Sequence, residues 1–477
     1  MKKKKRLRLI WILPLVLVLA AGALLVYAVS YELGPDGTIS FGGMVRADIF
    51  YVIVIFLLLI PVLLACLLAA GLYSNKKKPK KKNPTKTLVY TGDGAVMLAP
   101  GAGSVLPVGK KKEEASEVKE RFCMLGEIDR NSGKYGHAVY DKGITLDMFC
   151  EDFRNYAASR HKLYYDISDI RRFVAGMAVS KLVILQGMSG TGKTSLAHAF
   201  GSFTDNTSTV IPVQPMWKER TDLVGYYNEF TKRFNETLLL QKMYEANYSK
   251  DMYVTVLDEM NIARVEYYFA EFLSLLELPN PEERYIDVVS DKWDTDPKQL
   301  RDGRIKLPEN MWFIGTANND DSTFAISDKV YDRAMILNLD AKSERFAAPK
   351  TKKTIISAEQ FNSLVDQAIK EYGVSKRNRQ RLEELDKYLI DHFHITFGNR
   401  IMKQINTYIP VYVACGGDEL KALDDILAKK VIRKLETQNP IYLRNAAEGL
   451  VEYINELFGN DRMTLCKEYI HRLERNA

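Results

Sequence analysis

The sequence predicts an α/β fold, a mainly parallel sheet covered by helices on both faces, followed by an all-helical C-terminal region. Three observations carry that prediction. The first is a glycine-rich loop, Gly187-Met-Ser-Gly-Thr-Gly-Lys-Thr194, set after the strand-like run 181–186 and before the helix-like run 195–200. The second is a series of five short β-rich runs, at 182–186, 209–213, 253–257, 312–316 and 335–339, most of them separated by helical stretches. Strands that alternate with helices build a parallel sheet buried on both sides. The third is the change of pattern after Ser357, beyond which the residues read as helices only. A capping-box arrangement at Ser357-Ala-Glu-Gln360 opens that region, and Gly416-Gly417 marks a helix stop within it.

At 477 residues the chain is too long for one small core, and 47% hydrophobic with 27% charged residues is ordinary unless the apolar residues cluster. They cluster twice. Residues 10–29 are interrupted only by small residues and Pro14, and residues 49–73 contain no charge. Each segment reaches the roughly 20 apolar residues that cross a bilayer as a helix. A cleaved leader would suit the basic start and Ala20-Ala21-Gly22-Ala23, but the apolar run continues past those residues and exceeds the roughly 7–15 usual for such a leader. Lys2, Lys3, Lys4, Lys5, Arg6 and Arg8 precede the first segment, and Lys76, Lys77, Lys78, Lys80, Lys81, Lys82 and Lys86 follow the second. Among basic residues only Arg46 lies between them. The positive-inside bias then predicts a cell-membrane protein with two passes, both termini cytoplasmic, residues 30–46 as an outer loop and the lipid bilayer as a partner.

Those thirteen flanking cations exceed the net charge of +7, which leaves the rest of the chain at −6. A mildly acidic body argues against nucleic acid as the main partner. The five cysteines show no C-x-x-C spacing, so reduced thiols are expected and a zinc site is not. The predicted organisation is a transmembrane hairpin at 1–74, a basic and Gly/Ala/Pro-rich linker at 75–121, a helical lead-in at 122–180, an α/β core at 181–345, and helices at 355–477. In the lead-in, Thr145 or Asp147 is available to cap a helix that carries Phe149, Phe153 and Tyr156 on one face.

The loop matches the G-x-x-x-x-G-K-[ST] pattern, whose glycines let backbone N–H groups close round phosphates. Gly187, Ser189, Gly190, Thr191, Gly192, Lys193, Thr194 and Ser195 are therefore the candidates to hold ATP. Lys193 would reach the terminal phosphates, and the Thr194 hydroxyl would coordinate Mg²⁺. The apolar run 252–257, ending in Asp258-Glu259, supplies the partner motif. Asp258 at a strand's C-terminal end can hold the metal, while Glu259 polarises the attacking water.

With both motifs in place, roughly residues 122–415 resemble the dynein-related branch of the AAA+ ATPases, the McrB-like and MoxR-like proteins among them. The resemblance rests on Gly187 to Thr194, on Leu257-Asp-Glu-Met-Asn261 followed by a helix ending Phe272-Leu-Ser-Leu-Leu-Glu277, and on Phe313-Ile-Gly-Thr-Ala-Asn318. It implies an AAA+ P-loop core with a five-stranded parallel sheet and an all-α lid. It also implies a role for Asn318 beside the γ-phosphate and for Arg333 as an arginine finger reaching a neighbouring subunit's nucleotide. The chain departs from the arginine cluster of McrB-type proteins, offering only Arg333 in that segment. Arg400, in Phe397-Gly-Asn-Arg400, resembles the sensor-2 arginine that couples lid to nucleotide. Residues 213–220 and a hairpin pairing 284–289 with 304–307 are candidates to grip a substrate, although Trp217 reads as packed and 290–303 as a solvated loop.

The expected function is a membrane-anchored ATPase that assembles into a homo-oligomeric ring, a hexamer by the resemblance, and uses Mg-ATP hydrolysis to remodel a protein partner. A nucleotide-dependent switch or scaffold with little turnover is the first alternative. An McrB-like GTP-driven nucleic-acid translocase is the second, disfavoured by the predicted membrane hairpin, the acidic body and the lack of any nuclease constellation.

Overall fold

The computed structural model describes residues 120–318, 323–339 and 343–476. The lead-in is helical, as its pattern predicts. α1 (Met124–Arg130) is followed by α2 (Leu146–His161) and α3 (Ile167–Val179). Thr145 caps α2 by accepting from the Met148 N–H at 3.3 Å, and Asp166 caps α3 through the Ser168 N–H at 2.8 Å. Phe149, Phe153 and Tyr156 recur at helical spacing on α2 and are all buried.

The core then alternates strand and helix. β1 (Leu182–Gly187), α4 (Lys193–Phe203) and β2 (Thr209–Pro212) come first. α5 (Arg220–Val224), a hairpin of β3 (Gly225–Asn228) and β4 (Arg233–Glu236), and α6 (Leu238–Ala246) follow. Next come β5 (Tyr253–Asp258), α7 (Val265–Tyr268), α8 (Ala270–Leu275), and a small antiparallel sheet of β6 (Tyr285–Asp287), β7 (Leu300–Arg301) and β8 (Arg304–Lys306). β9 (Met311–Asn318), α9 (Asp328–Tyr331) and β10 (Met335–Asn338) close the core. The five strands predicted from the sequence form one parallel sheet in the order β10-β1-β9-β5-β2. Its two faces feed separate cores: Val183, Leu185, Val254 and Ile314 belong to one, while Leu182, Ile184, Leu257 and Phe313 belong to the other. That alternation is the period-2 geometry of a strand covered on both sides.

The pairing of β6 with β8 is the predicted hairpin. The β3–β4 hairpin was not foreseen, because Gly225-Tyr-Tyr-Asn and Arg233-Phe-Asn-Glu are short and polar and one apolar residue, Phe234, fills its buried face. The region 290–303 is not a free loop either. Arg121, 2% exposed, pairs with Asp296 and Asp291 and lies 4.5 Å from the Trp293 ring.

Residues 343–357 run without helix or strand apart from one bridge and tie back onto the core: the Thr354 N–H donates to the Phe203 carbonyl at 2.9 Å, and the Arg154 guanidinium lies 3.9 Å from the Phe346 ring. The helical region is α10 (Ala358–Glu371), α11 (Lys376–Phe393), α12 (Gly398–Ala414), α13 (Glu419–Lys430), α14 (Pro440–Phe458) and α15 (Thr464–Asn476). The capping box of Ser357 and Gln360 forms as predicted, and Gly416 takes φ 84° just past α12.

The predicted two-pass cell-membrane localisation requires correction. Among the described residues no helix is long and apolar enough to cross a membrane. The longest, α11 and α14, have 18 and 19 residues but turn charged side chains to one face, Arg377, Glu384 and Lys387 on α11 and Glu448, Glu452 and Glu456 on α14. Segments 10–29 and 49–73, on which the hairpin and the bilayer partner were argued, lie outside the described residues.

Candidate active site

The loop between β1 and α4 has the backbone its glycines predict. Gly190 and Gly192 take φ 80° and 95°, and Gly192 is the residue from which α4 starts. A Cβ at Gly192 would also lie 3.1 Å from the Tyr165 hydroxyl, so this position is closed to larger residues on two counts. Tyr165 is itself buried and donates to the Gly192 carbonyl at 3.0 Å, holding the loop from outside. Lys193 is 7% exposed, and its Nζ donates to the carbonyls of Gly187 and Met188 at 2.9 and 2.8 Å. Gly187, Ser189, Thr191 and Ser195 complete the turn from β1 into α4, where backbone N–H groups and the helix dipole favour an anion.

The metal-ligand candidates meet. The Thr194 hydroxyl donates to Asp258 Oδ1 at 2.7 Å, and Thr316 donates to the same oxygen at 2.8 Å. An acidic oxygen already touching the P-loop hydroxyl fits the hard-oxygen donor set that Mg²⁺ prefers. Thr316 then accepts from the Glu259 N–H at 2.9 Å. Glu259 takes φ 53° and ψ 46°, the left-handed region that a residue with a Cβ enters at a cost of about 1 kcal/mol. Strain of that kind clusters where a side chain must be aimed, as Glu259 would be at water.

Asn318 ends β9 directly opposite Gly187 in the parallel register with β1. Its main chain is held by Asn261, 4% exposed, which donates to the Asn318 carbonyl at 2.9 Å and to the Phe324 carbonyl at 3.2 Å. Three residues earlier on the same strand, a Cβ on Gly315 would lie 1.9 Å from Met260 Sδ, so glycine there lets the Asp258–Asn261 turn pack flat against β9. Asn261, Thr316, Met260 and Tyr165 are the contributors that motif reading missed. The first three lay inside the quoted segments but had no assigned chemistry, whereas nothing in the spacing marks Tyr165.

Arg333 and Arg400 sit elsewhere. Arg333 precedes β10, whose Met335 pairs with Val183 at the start of β1, and the Ser180 hydroxyl donates to the Arg333 carbonyl at 2.8 Å. This is the end of β1 away from the phosphate loop, about 20 Å along a six-residue strand. Arg333 Nη2 pairs with Glu277 Oε2 at 2.5 Å, and Arg400 pairs with the other oxygen of the same carboxylate. The two arginines thus stand together on one carboxylate, with the Arg333 main chain at the opposite end of β1 from Lys193. Trp217 is half-buried with its ring edge-on to Tyr268, centroids 5.6 Å apart, which agrees with packing.

A parallel sheet with a phosphate loop after its first strand, an acidic pair closing the third and an asparagine ending the fourth defines a P-loop nucleotide-binding protein of the AAA type. Residues 182–334 match the AAA domain of the dynein-related subfamily. Residues 349–477 match a family described as a domain of unknown function, DUF8727. No curated protein matches the chain. Among solved structures, a full-length MCM homolog from Methanopyrus kandleri is similar, with 10% identity and a TM-score of 0.32. The match covers 64% of this chain and 59% of that one.

Proposed function

We propose that the chain is an ATPase that binds Mg-ATP in the loop 187–195 and hydrolyses it at a site completed by a second copy, using the cycle to remodel a protein partner. The contact between Thr194 and Asp258 carries this reading, because it brings the two motifs of a hydrolytic P-loop site within one hydrogen bond. The backbone N–H groups of Gly190 to Thr194 and the Lys193 ammonium would hold the phosphates, with Thr194 and Asp258 holding the metal, which neutralises charge developing on the transferred phosphoryl group. Glu259 takes a proton from the attacking water, and Asn318 orients that water against the γ-phosphate.

The position of the arginines supports assembly: the Arg333 main chain is held at the end of β1 away from the phosphate loop, and Arg400 shares Glu277 with it, which suits a role toward a neighbour whose loop faces that side. A homo-oligomeric ring repeats such a head-to-tail contact. The experiment is steady-state ATP hydrolysis by Glu259→Gln, which is expected to keep nucleotide binding and to lose turnover by about 100-fold or more. Parental turnover in that variant would sink the assignment.

A further inference from the structure

We propose that Lys430 is a positioning residue for Arg333: it fixes the segment 331–334 from the helical domain, so the helical domain of one copy sets the finger in its neighbour's site. This rests on the reading of Arg333 as a finger supplied between copies. The observation is the treatment of four consecutive carbonyls. Lys430 Nζ donates to the Tyr331 carbonyl at 2.5 Å and also to the Ala334 carbonyl. Gln404 Nε2 on α12 donates to the Asp332 carbonyl at 3.0 Å, and Ser180 takes the Arg333 carbonyl. Two of the three donors therefore come from the helical region, and they bracket Arg333 on both sides.

Elementary chemistry explains why a cation stands there. α9 has four residues; its Asp328 and Val330 carbonyls accept the Asp332 and Ala334 N–H groups at 2.9 Å each, but the Tyr331 carbonyl at its C-terminal end has no backbone N–H partner among the described residues and lies at the negative end of its dipole. What it does not explain is the depth. Lys430 is 3% exposed and makes no ion pair among the described residues. Burying an ammonium costs several kcal/mol, and an apolar side chain of that length would fill the space without the cost. Burial pulls its pKa down to about 7. The amine is kept at depth at a cost, and the atoms it touches belong to the one segment that carries Arg333. Tyr331 extends the linkage, since its hydroxyl meets Gln186 at the end of β1, next to the phosphate loop.

The test uses full-length chains. Lys430→Met is expected to lower kcat for ATP about 100-fold, the cost of misplacing a reacting group by about 1 Å, with KM unchanged because the variant's own phosphate loop is intact. Mixing it with Glu259→Gln, which is inactive alone but offers an intact Arg333 segment, is expected to restore hydrolysis at the sites that the Lys430→Met chains provide. A simple folding defect would not be rescued this way. Gln404→Met should show a smaller loss of the same kind, rescued by the same mixture, and it carries the test if Lys430→Met does not fold. Parental kcat in the variant that folds overturns the proposal, as does failure of rescue in a mixture where Arg333→Ala is rescued. Parental turnover by Arg333→Ala alone overturns the finger reading itself, and so separates the two failures.

Discussion

Two lysines on opposite sides of this molecule show how burial changes what a charge is for. Lys193 is buried against carbonyls of a loop built to receive phosphate, so its cost is recovered when an anion arrives. Lys181, just before β1, has no such outlet: its Nζ lies 3.2 Å from the centroid of the Trp312 ring and has no hydrogen-bond partner among the described residues. Burial drives its pKa from the ordinary 10.5 down to about 7. Because the unfolded chain then binds more protons than the folded one between those values, stability should rise with pH from about 7 to about 10. Lys181→Met should flatten that rise and stabilise the protein at pH 7 by about 1–3 kcal/mol, read from chemical denaturation at several pH values.

The elements of the lead-in are joined to the core and to residues 343–357 by a second titrating group. His137 lies 3.2 Å from Asp205 and 3.1 Å from Asp251; Lys353 pairs with Asp205 from residues 343–357, and the Tyr140 hydroxyl donates to Asp251 at 2.8 Å. Burial alone would lower the His137 pKa, but the two carboxylates outweigh it and raise it. The sign is therefore opposite to that of Lys181. The stabilisation is full below the unfolded value near 6.5 and is lost as pH rises through the higher folded value. Hydrogen exchange in residues 135–141 and 351–357 should speed up as pH is raised past that point, after correction for intrinsic rates, and His137→Gln should remove the pH dependence. The hairpins obey the same logic of local anchoring: Glu236 at the end of β4 accepts the N–H groups of Cys123, Met124 and Leu125, which ties β3–β4 to the first helix.

At the scale of the whole molecule, the phosphate loop and the Arg333 main chain lie at opposite ends of β1, and the proposed function has a second copy bring them together. Glu277, which follows α8, holds Arg333 and Arg400 on one carboxylate, so the arginine pair is organised within a single chain. Hydrolysis per chain should then rise with protein concentration as copies associate. Arg333→Ala should abolish that rise while leaving nucleotide binding intact, which a titration of specific activity alongside light scattering would show. If specific activity is independent of concentration down to fully monomeric protein, the site is complete within one chain.

Much of this was written in local patterns. The five strands, the phosphate loop, Asp258-Glu259 and the Ser357 capping box are each set by residues within one element, where periodicity and backbone chemistry act over a few positions. Asn318 was legible only through the resemblance of residues 313–318 to a family motif, since a lone asparagine after an apolar run carries no signal of its own. The β3–β4 hairpin escaped, since a short polar ribbon leaves almost no apolar period. Two apolar segments near the N-terminus prompted a localisation that no described helix supports. What the sequence alone determined is the phosphate-loop motif and the α/β core around it, because a P-loop is one continuous stretch of backbone. Only the tertiary structure decided that Arg333, Arg400 and Glu277 form one cluster and that Lys430 and Gln404 grip the segment beside it. Those contacts join residues as many as 120 or so positions apart, and only the packing of helices on a sheet brings them together.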